Sequence, residues 1–233
     1  VQVVTERLLA DLAEPYLLGS TPVQSTASIG VVLVRDGQTS AEEVLRNADT
    51  AMYEAKRAGR GRWVLFDDSM HQRVVRALAL ENDLRRALRQ DELFVVYQPV
   101  VDLATRRVTA VEALVRWRHP DKGLVPPGEF IAVAEECGLI DAVGGVVLRQ
   151  ACAQFAAWRR TLGVLAPPLL AVNLSRAQLK RGDLVDDLGA LLQESGLLPR
   201  QLQLEVTESL AAQDEDVQAT LRALKSLGVK LAL

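Results

Sequence analysis

Three successive apolar segments in the second half of the chain each close on a polar residue. VTAVE closes on Glu112, LLAVN on Asn173 and LQLE on Glu205. Each segment reads as a buried β-strand, and helix-like stretches separate them. Strand–helix alternation of this kind implies parallel strands joined by right-handed crossovers, and in α/β barrels the working side chains gather where the strands end. Two carboxylates and an amide in that place suit a hard divalent cation such as Mg²⁺ or Mn²⁺, and the sequence offers no thiolate or multi-histidine set that would suit zinc. A divalent cation there polarises phosphoryl oxygens and lowers the pKa of bound water. Spacing alone leaves a second account open, in which the three residues are ordinary strand-end groups that cap the following helices.

The remaining pattern divides the chain into regions. Val3 to Ala13 is periodic as a helix. Thr26 to Val34 reads as a β-branched strand, and Asp36-Gly37 as a turn. Ser40 with Glu43 forms the capping box of the next helix, which Gly59 ends. Trp63 to Phe66 is a short strand. Residues 1–68 therefore form one α/β region. Residues 69–90 contain neither Gly nor Pro and read as a stiff helical connector, which can also pair two chains into a homodimer. From 91 to 233 a strand (LFVVYQPVVDL) is followed from Val108 by the order β-α-β-α-β-α-β. A long helical region from Phe130 to Arg160 carries possible breaks at Gly138 and Gly144-Gly145.

Composition narrows the function. A net charge of −3 without a basic block argues against a nucleic-acid polymer as partner. No apolar run has membrane-spanning length. The opening VQVVTERLLADLAEP is charged and amphipathic, unlike a signal peptide, and lacks an initiator Met, which suggests a piece of a longer chain. Cys137 and Cys152 lack CxxC spacing and read as buried, inert thiols in a reducing, cytoplasmic setting. Arg116 lies four residues beyond Glu112, on the same face of an extended strand, where its guanidinium can take a phosphate bidentately or simply lie at the surface. His119 reads as a loop residue and His71 as a solvated one. Lys56 and Arg60 flank a helix end, where cations complement the dipole.

Two stretches carry family resemblances. ASIGVVL and ADTAMYEAKRAGR, within residues 1–68, resemble the C-terminal half of a GGDEF (diguanylate cyclase) domain. The family's Gly-Gly-Asp-Glu-Phe loop is absent, and Gly61 stands where an asparagine is common. The resemblance implies that Lys56 and Arg60 contact the triphosphate of GTP. YQPVVDL, VEALVRWRHP, PPGEFIAVAEECGLI, VNLS and EVTES, in order from about Leu80 onward, resemble an EAL domain, a family of cyclic-di-GMP phosphodiesterases with a modified (β/α) barrel and Mg²⁺ or Mn²⁺. This implies metal ligation by Glu112, Asn173 and Glu205, with Glu112 and Glu205 catalytic. It also implies that Gln98 and Arg116 hold the dinucleotide and that Glu208 orders an active-site loop.

The expectation is thus a tandem GGDEF–EAL protein hydrolysing cyclic di-GMP to pGpG. A catalytically silent nucleotide sensor, or diguanylate cyclase activity in a longer parent, is the alternative. The resemblance places the family's next metal-binding acids, Asp-Asp-Phe-Gly, just past VKLAL. The isolated 233-residue chain is therefore expected to lack turnover. A metal-supplemented assay for pGpG checks this, and robust product formation would refute it.

Overall fold

The computed structural model describes residues 1–19, 21–34, 40–207 and 215–233. It divides into two compact units, Val1–Ala79 and Leu80–Leu233.

The first unit opens with helix α1 (Gln2–Leu12) and a short antiparallel pair, β1 (Tyr16–Leu18) and β2 (Thr21–Val23). The sequence reading had no strands there, because three-residue segments are too short to show a period. Strand β3 (Ile29–Val31) is shorter than the nine-residue run read from Thr26 to Val34, and it pairs in parallel with β4 (Trp63–Leu65). The turn expected at Asp36-Gly37 lies outside the described residues. Between the two strands runs helix α2 (Ala41–Arg57), capped by the Ser40 hydroxyl, which accepts from the Glu43 amide at 3.2 Å. Gly30 lets this helix approach: a Cβ there would lie 2.0 Å from the Ala48 carbonyl oxygen and 2.4 Å from the Met52 nitrogen. His71 is half-buried rather than solvated, with Nε2 2.8 Å from Asn47 Oδ1 and its ring edge-on to Phe66.

Helix α3 (Ser69–Ala87) covers most of the stretch read as a connector, and the division between units falls inside it. Its last turns, through Leu80, Leu84 and Ala87, belong to the core of the second unit.

That core is built on one six-stranded sheet of order β10-β9-β8-β6-β5, with β7 paired to β6. Its members are β5 (Leu93–Val101), β6 (Val108–His119), β7 (Gly123–Val125), β8 (Leu170–Asn173), β9 (Leu202–Glu205) and β10 (Lys230–Ala232). β5 and β7 run antiparallel to β6, while β6, β8, β9 and β10 pair in parallel as the alternation predicts. Helices α4 (Pro127–Glu136) and α5 (Ile140–Leu162) connect β7 to β8. Helices α6 (Arg176–Leu179) and α7 (Leu184–Ser195) connect β8 to β9, and the last helix, Glu215–Leu227, precedes β10. The long helical region breaks near Gly138, which has φ +72°, and runs unbroken through Gly144-Gly145.

Alternate residues of every strand face the helices. Leu93, Val111, Ala113, Trp117, Leu170, Val172, Leu202 and Leu204 join Phe130, Phe155 and Leu188 in one core. Burying such side chains contributes roughly 1.5–3 kcal/mol each relative to exposure. Cys152 is fully buried there and burial pushes its thiol up to about 12, whereas Cys137 is only half-buried.

One end of β6 is fastened to α3 by a polar cluster. His119, read as a loop residue, ends the strand and is 3 % exposed. Its Nδ1 accepts from the amides of Asp121 and Lys122 at 3.1 Å each, so Nε2 carries the hydrogen and faces Asp83 Oδ2 at 2.9 Å. Arg86 pairs with Asp83 at 2.9 Å and with Glu92 at 3.1 Å, and Glu92 accepts from the Trp117 indole at 3.0 Å. Burial raises the Asp83 carboxyl's pKa, but hydrogen bonds from His119 and Lys122 and the Lys122 charge outweigh it and bring the group from 3.8 to about 2. A depressed carboxylate pKa contributes stability above the unfolded value, which disappears as pH falls through the folded one. Asp83→Asn is expected to lower the unfolding free energy by about 2 kcal/mol at neutral pH. Denaturant titrations at several pH values should show the difference from wild type shrinking between about pH 4 and pH 2.

Candidate functional site

The face of the sheet turned away from the helices carries the polar residues singled out above. Glu112 and Gln98 are register partners across β6 and β5, and Asn173 and Glu205 are partners across β8 and β9. Asn173 Nδ2 donates to Glu112 Oε1 at 2.8 Å. Glu205 Oε1 accepts from Gln203 Nε2 at 3.2 Å. Between Glu112 and Gln203 lies Ala171, paired with both and itself buried. Four of the expected residues (Gln98, Glu112, Asn173 and Glu205) thus meet on four adjacent strands. Glu112 and Glu205 are half-buried, while Gln98 and Asn173 are exposed.

Asn173 and Glu205 end their strands as expected, but Glu112 does not: β6 continues to His119. The physical reason is that parallel pairing with β8 covers only Val111 to Ala113, while antiparallel pairing with β5 and β7 carries the strand onward. This extension places Arg116 on the same face, beyond the level of Glu112, half-buried and with Nη1 donating to the Val115 carbonyl at 2.8 Å. Lys56 and Arg60 belong to the first unit and are both exposed, Lys56 in the last turn of α2 and Arg60 just past it with φ +59°. Glu208 lies outside the described residues.

The turn after Asn173 is held by a complete capping box. Gln178 Oε1 accepts from the Ser175 amide at 3.1 Å and its hydroxyl at 3.0 Å, and the Gln178 amide donates to Ser175 Oγ at 3.3 Å. Gln178 is 3 % exposed and rests on Gly144. Sequence reasoning missed Gln178 and Gln203. The S-x-x-Q spacing from Ser175 and the two-residue spacing from Glu205 were the available signals. A cavity between α5 and α7 is lined by Arg149, Arg181 and Asp187 among others. It includes none of the rim residues, and Arg181 there is already paired with Asp187 at 2.6 Å.

With this geometry in place, comparison with known families is decisive. Residues 81–233 match the EAL domain, and residues 1–62 match the GGDEF domain of diguanylate cyclases. The chain belongs to the EAL domain family. The bifunctional diguanylate cyclase/cyclic di-GMP phosphodiesterase MucR of Pseudomonas aeruginosa is 40% identical over 99% of this chain and 33% of its own length. The cyclic di-GMP phosphodiesterase NbdA of the same organism is 38% identical over 99% of this chain and 29% of its own. A solved structure of the PaMucR phosphodiesterase in complex with c-di-GMP aligns with a TM-score of 0.62 and 41% identity, over 66% of this chain and 62% of that one. The chain spans about a third or less of the length of these curated relatives.

EAL phosphodiesterases depend on divalent metal, and the residues here fit such an ion. Two carboxylates and an amide offer oxygen donors on one face, as hard cations require. Among the described residues no group of three or more His, Cys, Asp or Glu could hold a metal ion, and the third side chain beside the two carboxylates is the Asn173 amide. Also among the described residues, no helix is long and apolar enough to cross a membrane.

The Gly144 contact is open to test. Gly→Ala inside a helix ordinarily gains about 1 kcal/mol. At position 144 the new Cβ would lie 2.1 Å from Gln178 Nε2. We expect Gly144→Ala to destabilise by about 1–2 kcal/mol instead, measured by urea unfolding.

Proposed function

We propose that the EAL unit is a phosphodiesterase that hydrolyses cyclic di-GMP to linear pGpG with Mg²⁺ or Mn²⁺, in the cytoplasm. The observation that carries this reading is the Asn173–Glu112 hydrogen bond beside the Asn173–Glu205 register pair. Together they collect three oxygen-bearing side chains from three parallel strands at one place. Glu112, Asn173 and Glu205 are the residues that would hold the cation. When bound, a divalent cation polarises phosphoryl oxygens and lowers the pKa of water.

The chain's own groups do the rest. Glu112 and Glu205 supply concentrated negative charge without a Lys or Arg bonded to either among the described residues. Arg116 sits further along the same strand face, with one nitrogen tied to the backbone and, among the described residues, no carboxylate on the rest of its fork, which can grip a phosphate bidentately. Gln98, opposite Glu112 and exposed, presents its amide to a guanine or ribose edge. The EAL resemblance gives Glu208, which lies outside the described residues, the role of ordering an active-site loop. In the first unit, exposed Lys56 and Arg60 serve as phosphate contacts for GTP in a longer parent, and helix α3 contributes to a homodimer.

The test uses purified full-length protein with cyclic di-GMP and Mn²⁺. Glu112→Gln and Glu205→Gln should each lower kcat about 100-fold or more. Arg116→Ala should weaken cyclic di-GMP binding about 10- to 100-fold, as loss of a charged hydrogen bond predicts. Tight binding without any pGpG from full-length protein would assign a sensor role instead.

A further inference from the structure

The sheet face that carries the cation ligands holds one more group that neither family resemblance nor the reading above assigns. Gln203 is two residues before Glu205 on β9, so both side chains leave the same face. Its Nε2 lies 3.2 Å from Glu205 Oε1. The arrangement mirrors the neighbouring one, where Asn173 Nδ2 reaches Glu112 Oε1 at 2.8 Å. Among the described residues, each rim carboxylate therefore has one oxygen engaged by a neutral amide and the other unclaimed by a side chain.

The chemistry of the donor matters. A Lys or Arg in this role would orient the carboxylate equally well, but it would also neutralise the charge that attracts a cation. A basic residue is available: Lys230 is the register partner of Gln203 on β10. Yet among the described residues Lys230 makes no ion pair with Glu205, and Glu205's bond is to the amide. Ala171 lies between Gln203 and Glu112 at the same level and offers no polar side-chain group to either.

We propose that Gln203 is a positioning residue for the cation site. Its amide holds Glu205 in one rotamer, aims the second carboxylate oxygen toward the donors on β6 and β8, and leaves the full negative charge in place. Partners that orient a metal ligand characteristically change affinity by about 10- to 100-fold when removed. The inference rests on the reading of Glu205 as a cation ligand.

The experiment is Mn²⁺ binding to the full chain without nucleotide, followed by electron paramagnetic resonance of the free ion, together with thermal melting. Gln203→Met keeps length and volume but removes the donor, and Gln203→Ala removes both. Both variants are expected to bind Mn²⁺ about 10-fold more weakly than wild type. The metal-free melting temperature of Gln203→Met should stay at the wild-type value, a combination that a merely structural role would not produce. Wild-type affinity in Gln203→Met would overturn the inference while leaving the cation site standing. Equal loss of affinity and of metal-free melting temperature would overturn it too, by reducing Gln203 to a packing residue. Absence of Mn²⁺ binding in wild type would remove the cation reading itself, and this inference with it.

Discussion

The second unit depends on the pairing of β6. One edge of this strand is matched to β5 from Val108 to Trp117, and the other is shared between β8 and β7. Among the described residues no other strand has three partners. The consequence is that β6 is fixed along its whole length, although only three of its residues take part in the parallel wall. The helix-covered face is fixed as firmly. Trp117 is fully buried, meets Phe130 edge-on at 5.5 Å, and has its indole hydrogen satisfied by Glu92. Large aromatic burial with a paired polar handle is a strong anchor. Glu112 and Arg116 leave the opposite face of this same strand, so they inherit a rigidity they do not create.

The two regions of polar chemistry on this framework are built on opposite electrostatic rules. Around His119 every charge is answered: Asp83 by His119, Arg86 and Lys122, and Glu92 by Arg86. Partly buried charges require such compensation, and the reward is a fastening of α3 to the sheet. Around Glu112 and Glu205 the partners are neutral amides, which satisfy geometry and leave the charge uncompensated. Two uncompensated carboxylates on one face of a sheet do not stabilise a fold by themselves. The proposed cation site draws on this contrast in donor type rather than on the presence of acidic residues alone.

Much of this was legible in the sequence, because parallel strands buried on one face and flanked by helices write a strong pattern. The parallel order from β6 to β10 and the assembly of Glu112, Asn173 and Glu205 on one face followed from three apolar runs and their last residues. The misplacement of Glu112 at a strand end has a definite cause. VTAVEALVRW is continuous, and nothing local says where parallel pairing gives way to antiparallel pairing, since that depends on which partner lies alongside. His119 was taken for a loop residue because its partly buried partner, Asp83, is 36 positions away on helix α3. Gly144-Gly145 looked like a helix break, since glycine costs helical stability. In the structure Gly144 earns its place by leaving room for Gln178, a tertiary requirement invisible in a single helix.

What links sequence to site most directly is the two-residue period itself. Along β6, Val111, Ala113 and Trp117 face the helices while Glu112, Leu114 and Arg116 face away. Along β8 and β9, Leu170, Val172, Leu202 and Leu204 enter the core while Ala171, Asn173, Gln203 and Glu205 do not. A slip of one residue in any of these pairings would drive carboxylates into an apolar core and expose leucines. The desolvation penalty for a buried unpaired carboxylate is several kcal/mol, so the core enforces the register against every alternative. The donor set thus needs no interaction of its own to assemble. It is collected by the hydrophobic residues that alternate with it, and the amides of Asn173 and Gln203 have only to settle the final rotamers.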